Sequence, residues 1–269
     1  MTMTPATFTD IIRQVKEYTG HVSLHVLGEP LLHPQLALIL ELCHQHGLRV
    51  NLTTNGTLLH QSQETLLTSP ALRQINISLH SFPEQGKGAM AATYLADLLA
   101  VARRLTIETE TYVTLRMWNK EKNTNGTDRD KPIYDALAAH FNLPGHINDT
   151  GSGRGIALAP RIYLNQAERF YWPNLFAPEQ NNRGTCRGLK DHLAILVDGT
   201  VVPCCLDGEG EIKLGNIITQ PLAEILAAPR ATAMRQAAAR QQFEEPLCRR
   251  CTYRQRFESF KPKPTLALA

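Results

Sequence analysis

The sequence predicts an α/β fold: a partial (β/α) barrel with a parallel sheet, joined to a small C-terminal cysteine-rich domain made of a β-hairpin and helices. Two observations support this prediction. Short apolar runs recur along the first half at intervals of about 25–35 residues, which leaves room for a crossover helix between parallel strands. Five of the six cysteines lie in the last third of the 269 residues.

Strands and helices are predicted to alternate through the first half. The strands are the apolar and β-branched runs at residues 22–27, 49–53, 74–79 and 109–117. Helices are predicted before and between them, at residues 5–18, 35–46 and 90–104. The second of these has an apolar face and stops at a typical helix-ending residue, Gly47. The order βαβαβαβ is typical of a parallel sheet or a partial barrel.

The amino-acid composition and net charge argue against several classes of function. A chain that is 43% hydrophobic and 269 residues long can bury a sizeable core. The net charge of +3 comes from 28 basic and 25 acidic residues without a basic run, so nucleic acid is not the expected partner. We see neither a membrane span nor a signal peptide and expect a cytoplasmic protein, in which clustered cysteines more often bind metal than form disulfides.

Distinctive residues follow each predicted strand. Ligands of parallel sheets bind at the carboxyl ends of the strands, where glycine permits close approach, a carboxylate binds an ammonium group and arginine binds a carboxylate. Taken singly, these residues also suit a turn, a strand end or a surface ion pair. Their shared edge favours a site for an amino acid-like ligand, with the candidates Gly28, Glu29, Pro30, Thr54, Asn55, Ser78 and Arg116.

The cysteines of the second half form a set. Cys186 is followed by a Cys-x12-Gly-x4-Cys spacing that ends at Cys204, and Cys248 and Cys251 form a Cys-x-x-Cys pair. The segment HLAILVDGTVVPC predicts a β-hairpin that returns the chain to the first cysteine. Four thiolates arranged in this way suit zinc or an iron-sulfur cluster.

Two cysteines are not expected to be ligands. Cys43 lies on the apolar face of a predicted helix and is interpreted as a core residue. Cys204 and Cys205 are adjacent and cannot point the same way along a strand, so only one of them is expected to bind metal. A thioredoxin-like role for Cys248 and Cys251 is less favoured, because the pair follows Pro246 and a helix rather than a strand.

These motifs together resemble a known family. The segments LGEPLLHP, LTTNG and ISLHS, followed by the cysteine spacings, PCC and GN, are similar to radical S-adenosylmethionine enzymes with a C-terminal SPASM-type auxiliary-cluster domain. The resemblance covers nearly the whole chain. It implies that Gly28 and Glu29 contact the amino group of S-adenosylmethionine, with Ser78 and Arg116 near its methionine and ribose parts. It also implies one auxiliary 4Fe-4S cluster on Cys186, Cys204, Cys248 and Cys251.

The family's defining Cys-x-x-x-Cys-x-x-Cys loop is not in the sequence. In relatives it precedes a segment like MTPATFTDIIRQVK, which begins here at the third residue, so we expect an N-terminally truncated barrel with unknown catalytic residues. A longer reading frame or a disrupted gene would account for this. Without those thiolates S-adenosylmethionine is held but not cleaved to the 5'-deoxyadenosyl radical.

Two functional interpretations remain. In the first, the intact protein modifies a substrate, for which a peptide or protein is the candidate class, with electrons from a reductant such as flavodoxin or ferredoxin. In the second, the chain is a non-catalytic iron-sulfur or zinc-binding module derived from such an enzyme. The expected organisation is a radical S-adenosylmethionine-like partial barrel over residues 1–150, a connector and barrel-closing segment over 151–185, which begins with GSGRG, and a SPASM-like domain over 186–260.

Overall fold

A computed structural model describes residues 2–81, 89–120, 130–143, 147 and 155–258. They divide into two compact units, one over Thr4–Arg169 and the other from Phe170 onward together with the first residues of the chain.

The first unit contains a six-stranded, mostly parallel sheet in the order β1-β2-β3-β4-β6-β5. Each of β1 to β4 runs parallel to its neighbour, β6 runs parallel to β4, and β5 pairs antiparallel with β6. The predicted mixed α/β class is thereby confirmed. The strands are β1 (His21–Leu24), β2 (Arg49–Thr54), β3 (Leu72–Ser78), β4 (Tyr112–Lys120), β5 (Ile156–Ala159) and β6 (Ile162–Glu168).

Helices occupy the connections of this unit. Thr4 caps the first helix by accepting the Thr7 N–H at 3.2 Å, and proline occupies its first position. Short 3-10 helices follow β1 at Pro30–Leu32 and β3 at Leu79–Ser81. The α-helices are α1 (Pro5–Val15), α2 (Leu36–Gln45), α3 (Gln63–Leu67), α4 (Ala89–Glu108) and α5 (Lys131–His140).

The core lies between the sheet and these helices. The predicted apolar face of α2 is buried, and Cys43 on it has no exposed surface. Burial raises the pKa of the Cys43 thiol from 9.0 to about 12, so the core role expected for this cysteine is confirmed. The strands contribute side chains with no exposed area, namely Val50, Leu52, Ile75, Ile77, Val113, Leu115, Ile162 and Leu164.

Several sequence-based boundaries differ from the structure: the strand expected at residues 22–27 ends at Leu24, and the helix expected at residues 5–18 ends at Val15. The strand expected at residues 109–117 begins at Tyr112, because α4 is longer than predicted and Thr109 continues its hydrogen bonding to the Leu105 carbonyl. Within the expected connector and barrel-closing segment, Ile156–Ala159 and Ile162–Glu168 form β5 and β6 of the sheet. Residues 151–154 of the GSGRG connector lie outside the described residues.

The second unit contains the predicted hairpin. Strands β7 (Ala194–Ile195) and β8 (Thr200–Val202) pair antiparallel around Asp198 and Gly199, and β9 (Gly215–Asn216) extends the sheet on the other side of β8. Gly199 has a φ of +84°, which explains glycine at the turn. Four helices follow: α6 (Leu222–Ala227), α7 (Pro229–Ala239), α8 (Pro246–Arg249) and α9 (Gln255–Glu258). No helix among the described residues is long and apolar enough to cross a membrane.

Candidate functional site

Glu29 joins the loops that follow the first two strands of the sheet. Its side chain accepts the Leu31 N–H at 3.1 Å through one oxygen and the Asn55 N–H at 2.8 Å through the other. An ionised carboxylate offers about four acceptor positions, so this arrangement leaves acceptor capacity for a ligand. Gly28, with a φ of +80°, gives the backbone the turn that precedes this half-buried carboxylate, and Pro30 begins the 3-10 helix after it.

The loop before Glu29 contains backbone strain. Val26 has a φ of +101°, a conformation that β-branched residues rarely adopt. Such strain costs on the order of 1–3 kcal/mol and is concentrated at ligand-binding and catalytic loops. Its position three residues before Glu29 supports the interpretation of this strand end as a binding loop.

The turn after β2 holds the second hydrogen-bond donor in place. The Thr54 hydroxyl is buried and accepts the Gly56 N–H at 2.9 Å, and the Asn55 side chain accepts the Thr57 N–H at 2.9 Å. Both predicted binding residues therefore use their side chains within the turn. The contribution of Asn55 to the carboxylate is its backbone N–H.

Tyr94 supports this turn from helix α4. Its hydroxyl donates a hydrogen bond of 2.8 Å to the Asn55 carbonyl. Burial, and to a smaller degree the nearby Glu29 carboxylate, raises the pKa of Tyr94 to about 12, so the phenol remains a donor at neutral pH. A cleft of about 470 Å³, within the size range of small-molecule sites, is lined by Gly56, Thr57, His60, Thr93, Tyr94, Asp97 and Leu98.

Replacing Gly56 with alanine is expected to disrupt this arrangement. Gly56 has a φ of +83°, and an added Cβ would lie 2.8 Å from both Leu98 Cδ1 and the Tyr94 hydroxyl. We expect Gly56→Ala to lower the free energy of unfolding by about 3 kcal/mol, through backbone strain and overpacking together. Chemical denaturation measures this value.

Gly47→Ala is the matched control for this substitution. Gly47 has a similar φ of +71° with nothing within 4 Å of the added Cβ, so only the backbone term applies. We expect a loss of about 1 kcal/mol there. Equal losses at the two positions would contradict the close packing of the turn against Tyr94.

Ser78 and Arg116 are brought together at the same edge of the sheet. They are register partners: Ser78 is the last residue of β3, and Arg116 lies beside it in the middle of β4, which continues to Lys120. The Arg116 guanidinium lies 4.6 Å from the centre of the Trp118 ring, and the Trp118 indole donates a hydrogen bond of 2.7 Å to Asn165 on β6. The parallel strands thus place all the predicted binding residues at one edge, and they add Trp118 and Asn165 to it.

Four cysteines converge in the second unit. Cys186 and Cys251 each raise the pKa of Cys204 and of Cys248, and Cys204 also raises that of Cys248. Cys186 likewise raises the pKa of Cys251, so the four thiols lie near one another. Although each residue is only half-buried, loss of solvation raises the pKa of Cys248 and Cys251 and raises that of Cys204 to about 12. The neighbouring thiols add to this increase, because a second thiolate disfavours the first.

Backbone N–H groups point at the sulfur atoms of three of these cysteines. Gly188 donates to the Cys186 sulfur at 3.4 Å, and the N–H of Leu206 donates to Cys204. Those of Tyr253 and Arg254 donate to Cys251. Hydrogen bonds to sulfur stabilise thiolate ligands and tune cluster potentials. The donor set therefore fits an iron-sulfur cluster.

The surroundings of Gly188 also fit a tightly built ligand loop. A Cβ at this position would lie 3.1 Å from the Pro203 carbonyl and 3.7 Å from the Cys186 sulfur. No group of three His, Cys, Asp or Glu side chains within the described ranges is arranged to hold a single metal ion. A 4Fe-4S cluster does not require its ligands to converge on one ion, because its four cysteine ligands bind a multi-iron core.

Three contacts of these sites were not predicted from the sequence. Tyr94 occupies an ordinary helical position 39 residues from its partner Asn55, and Asn165 lies 47 residues from Trp118. Arg254 is buried beside Cys251 and donates to its carbonyl. Only the position of Arg254, three residues after a Cys-x-x-Cys motif, offered a signal in the sequence.

Comparison with known proteins gives a family match for the C-terminal domain and a structural match for the fold. Residues 186–252 match the SPASM family, described as an iron-sulfur cluster-binding domain. The fold is similar to the structure of BtrN in complex with AdoMet and 2-DOIA, with a TM-score of 0.51, 18% identity, and coverage of 93% of this chain and 80% of that chain.

Two further solved structures show weaker similarity. Streptococcus suis SuiB bound to S-adenosylmethionine has a TM-score of 0.48, 15% identity and coverage of 97% of this chain and 68% of that chain. Native anSMEcpe with bound AdoMet and Kp18Cys peptide has a TM-score of 0.47, 15% identity and coverage of 86% of this chain and 74% of that chain. The search of curated proteins returned no match.

These findings establish the fold and one domain. The chain has the mostly parallel α/β fold of the BtrN structure. Over residues 186–252 it carries a SPASM domain, whose family binds iron-sulfur clusters.

Proposed function

We propose that this chain belongs to a radical S-adenosylmethionine enzyme of the SPASM type, with S-adenosylmethionine at the strand ends and one auxiliary 4Fe-4S cluster on Cys186, Cys204, Cys248 and Cys251. The observation that carries the proposal is the occurrence of both arrangements in one chain. One unit has a carboxylate that is held by two strand-end loops, and the other has four converging thiols.

The strand-end residues bind and orient the ligand in this proposal. Glu29 retains acceptor capacity for the ammonium group of the methionine part, since its own hydrogen bonds come from backbone N–H groups that fix its orientation. Arg116, at the same edge, binds a carboxylate or a ribose hydroxyl. The solved BtrN structure contains AdoMet, which supports this ligand for the shared fold.

The chemistry proposed for these 269 residues themselves is binding. No Cys-x-x-x-Cys-x-x-Cys occurs among them, and bound S-adenosylmethionine yields a 5'-deoxyadenosyl radical only when such a loop holds the reducing cluster. For the intact enzyme we propose hydrogen abstraction from a substrate, with electrons from flavodoxin or ferredoxin. An auxiliary cluster held by Cys186, Cys204, Cys248 and Cys251 would supply a site that binds the substrate or accepts an electron from it.

A peptide or protein is the proposed substrate class. Next to the Cys251 loop, the Tyr171 N–H donates to the Thr252 hydroxyl at 3.3 Å. The segment that begins there exposes large apolar side chains, including Trp172 at 50% and Phe176 at 99%. Clustered exposed apolar residues of this kind are typical of interaction surfaces.

The test is metal and ligand analysis of the chain itself, purified without oxygen and reconstituted with iron and sulfide. We expect about four irons and four sulfides per chain with a broad brown absorption, as for a single 4Fe-4S cluster. Equilibrium dialysis with labelled S-adenosylmethionine is expected to show saturable binding. One zinc per chain without sulfide would support the non-catalytic zinc-binding alternative instead.

A further inference from the structure

Arg230 forms an ion pair at the start of the helix that carries Cys248. Its guanidinium donates two hydrogen bonds to the Glu245 carboxylate, one to each oxygen, at 2.7 and 2.8 Å. A bidentate pair of this kind fixes the orientation of its partners as well as their separation. Glu245 directly precedes helix α8, and its side chain is only 14% exposed, so the carboxylate is largely removed from solvent.

The same guanidinium also contacts a different segment of the chain. Its Nη1 donates to the Lys213 carbonyl at 3.2 Å. Lys213 lies in the loop that runs from Cys204 to strand β9, whereas Glu245 lies in the later segment that leads to Cys248. One side chain at the start of helix α7 therefore joins the segment after Cys204 to the segment before Cys248.

A buried carboxylate holds the loop that contains Lys213 close to Cys204. Asp207 is 1% exposed, and its two oxygens accept the N–H groups of Glu211 and Ile212, each at 2.8 Å. The Asp207 N–H donates to the Cys204 carbonyl at 3.2 Å. Hydrogen bonds thus fix this loop to the Cys204 segment at one end and, through the Lys213 carbonyl, to helix α7 at the other.

Helix α8 depends on its surroundings for its position. It has four residues, and its N-cap, Glu245, makes no side-chain hydrogen bond to the helix. Helices of this length are unstable in isolation, so tertiary contacts have to hold them. Leu247 is buried, and Arg250, just after the last residue, pairs with Glu179 at 3.0 Å. The pair between Glu245 and Arg230 holds the other end of the helix.

We infer that Arg230 and Glu245 are positioning residues of the auxiliary-cluster site: their bidentate pair holds helix α8, and with it Cys248, beside the Cys204 segment before a cluster binds. The identity of the bound group in this inference rests on the proposed function. A ligand segment that is already held in place loses little conformational freedom on binding, which favours the bound state. Breaking the pair is therefore expected to speed the release of iron.

The first measurement is the rate at which an excess of iron chelator removes the cluster from the reconstituted chain, followed by visible absorption. We expect Glu245→Gln and Arg230→Gln each to release iron at least about tenfold faster, the scale found for residues that orient metal ligands. Arg235→Gln is the matched control. Arg235 lies on the same helix and donates to the Leu226 carbonyl at 2.7 Å, so it joins helices α6 and α7 without contacting a cysteine segment. Its release rate is expected within about twofold of wild type.

The second measurement separates positioning of one helix from general stability. Backbone hydrogen exchange is compared between the wild-type chain and Glu245→Gln, both before reconstitution. The Arg249 N–H donates to the Glu245 carbonyl at 3.1 Å, and the Cys251 N–H donates to the Cys248 carbonyl at 3.3 Å. We expect these two N–H groups to exchange at least about tenfold faster in the variant, with those of strand β8 within about twofold of wild type, because local opening exposes only the affected segment.

The outcomes separate this inference from the proposed function. If the wild-type chain binds no iron and sulfide, the proposed function fails, and hydrogen exchange alone decides whether the pair holds helix α8. If the chain binds the cluster, release from Glu245→Gln at the rate of wild type or of Arg235→Gln overturns the inference. Equally faster exchange in β8 and α8 also overturns it.

Arg230→Lys covers the case in which Glu245→Gln holds no cluster. Lysine keeps the positive charge but has no guanidinium fork, so the ion pair persists without its fixed orientation. In that case, release from Arg230→Lys that is at least about threefold faster than from wild type supports the inference, because the fork sets the position of the helix. Release at the wild-type rate overturns it.

Discussion

Cys204→Ala is expected to lose the auxiliary cluster, while Cys205→Ala keeps it. Cys204 interacts electrostatically with Cys205, Cys186, Cys251 and Cys248, and its sulfur accepts the N–H of Leu206. A cluster that loses one of four thiolates cannot remain fully ligated. We expect iron in Cys204→Ala to fall from about four to below about one per chain after reconstitution, measured together with sulfide and the visible absorption.

The neighbouring cysteine makes this a closely matched comparison. Cys205 has the same chemistry one position along the chain, and both residues follow the end of β8 at Val202, in a bend and turn where the strand alternation expected from the sequence does not apply. Cys43→Ala is a second control, because that thiol is buried in the other unit. Retention of about four irons in Cys204→Ala with their loss in Cys205→Ala would show that the ligand assignment should be exchanged.

Glu29→Gln is expected to reduce the affinity for S-adenosylmethionine at least about tenfold, equivalent to about 1.4 kcal/mol. The amide has nearly the same size but no charge with which to bind an ammonium group. Both oxygens of Glu29 accept a backbone N–H, so the amide NH2 of glutamine would also face a donor. A hydrogen bond to a charged group contributes about 1.5–3 kcal/mol, so the tenfold value is a lower bound. Equilibrium dialysis of the reconstituted chain measures the affinity.

Glu17→Gln serves as the control, since Glu17 is exposed after helix α1. Circular dichroism of both variants tests whether the fold is retained, because loss of the hydrogen bond between the two loops also costs about 1–2 kcal/mol of stability. Unchanged affinity in a folded Glu29→Gln variant would refute the ammonium contact. Glu29 would then be a structural link between the strand-end loops and no more.

The alternation of strands and helices was predictable because each element has its own local pattern. Helix α2 has an apolar face that repeats with helical spacing, and its end at Gly47 needs the positive φ that glycine adopts readily. Strands β5 and β6 were harder to predict, since residues 156–168 follow no helix pattern that would identify a crossover. Their membership of the sheet depends on pairing between β6 and β4, more than 40 residues earlier in the chain.

In the candidate sites, too, some features were predictable from the sequence and others were not. The four cysteines were recognised because their spacings are short and repeat a known motif, and the structure brings them together. The roles of Thr54 and Asn55 differ from a simple prediction of ligand contact. Their side chains stabilise the turn, and the Asn55 N–H binds Glu29, which a list of residue types does not reveal.

The sequence by itself determined the α/β class, the edge of the sheet where the candidate residues gather and the cysteine set of the second unit, because periodicity, turn residues and cysteine spacing act over short distances along the chain. Only the tertiary structure decided that Tyr94 supports the Asn55 turn and that the Arg254 guanidinium donates to the Asn181 and Arg183 carbonyl groups ahead of Cys186. These contacts join residues 39 to 73 positions apart. Their partners are backbone carbonyl groups, which every residue carries, so folding alone selects which of them meet.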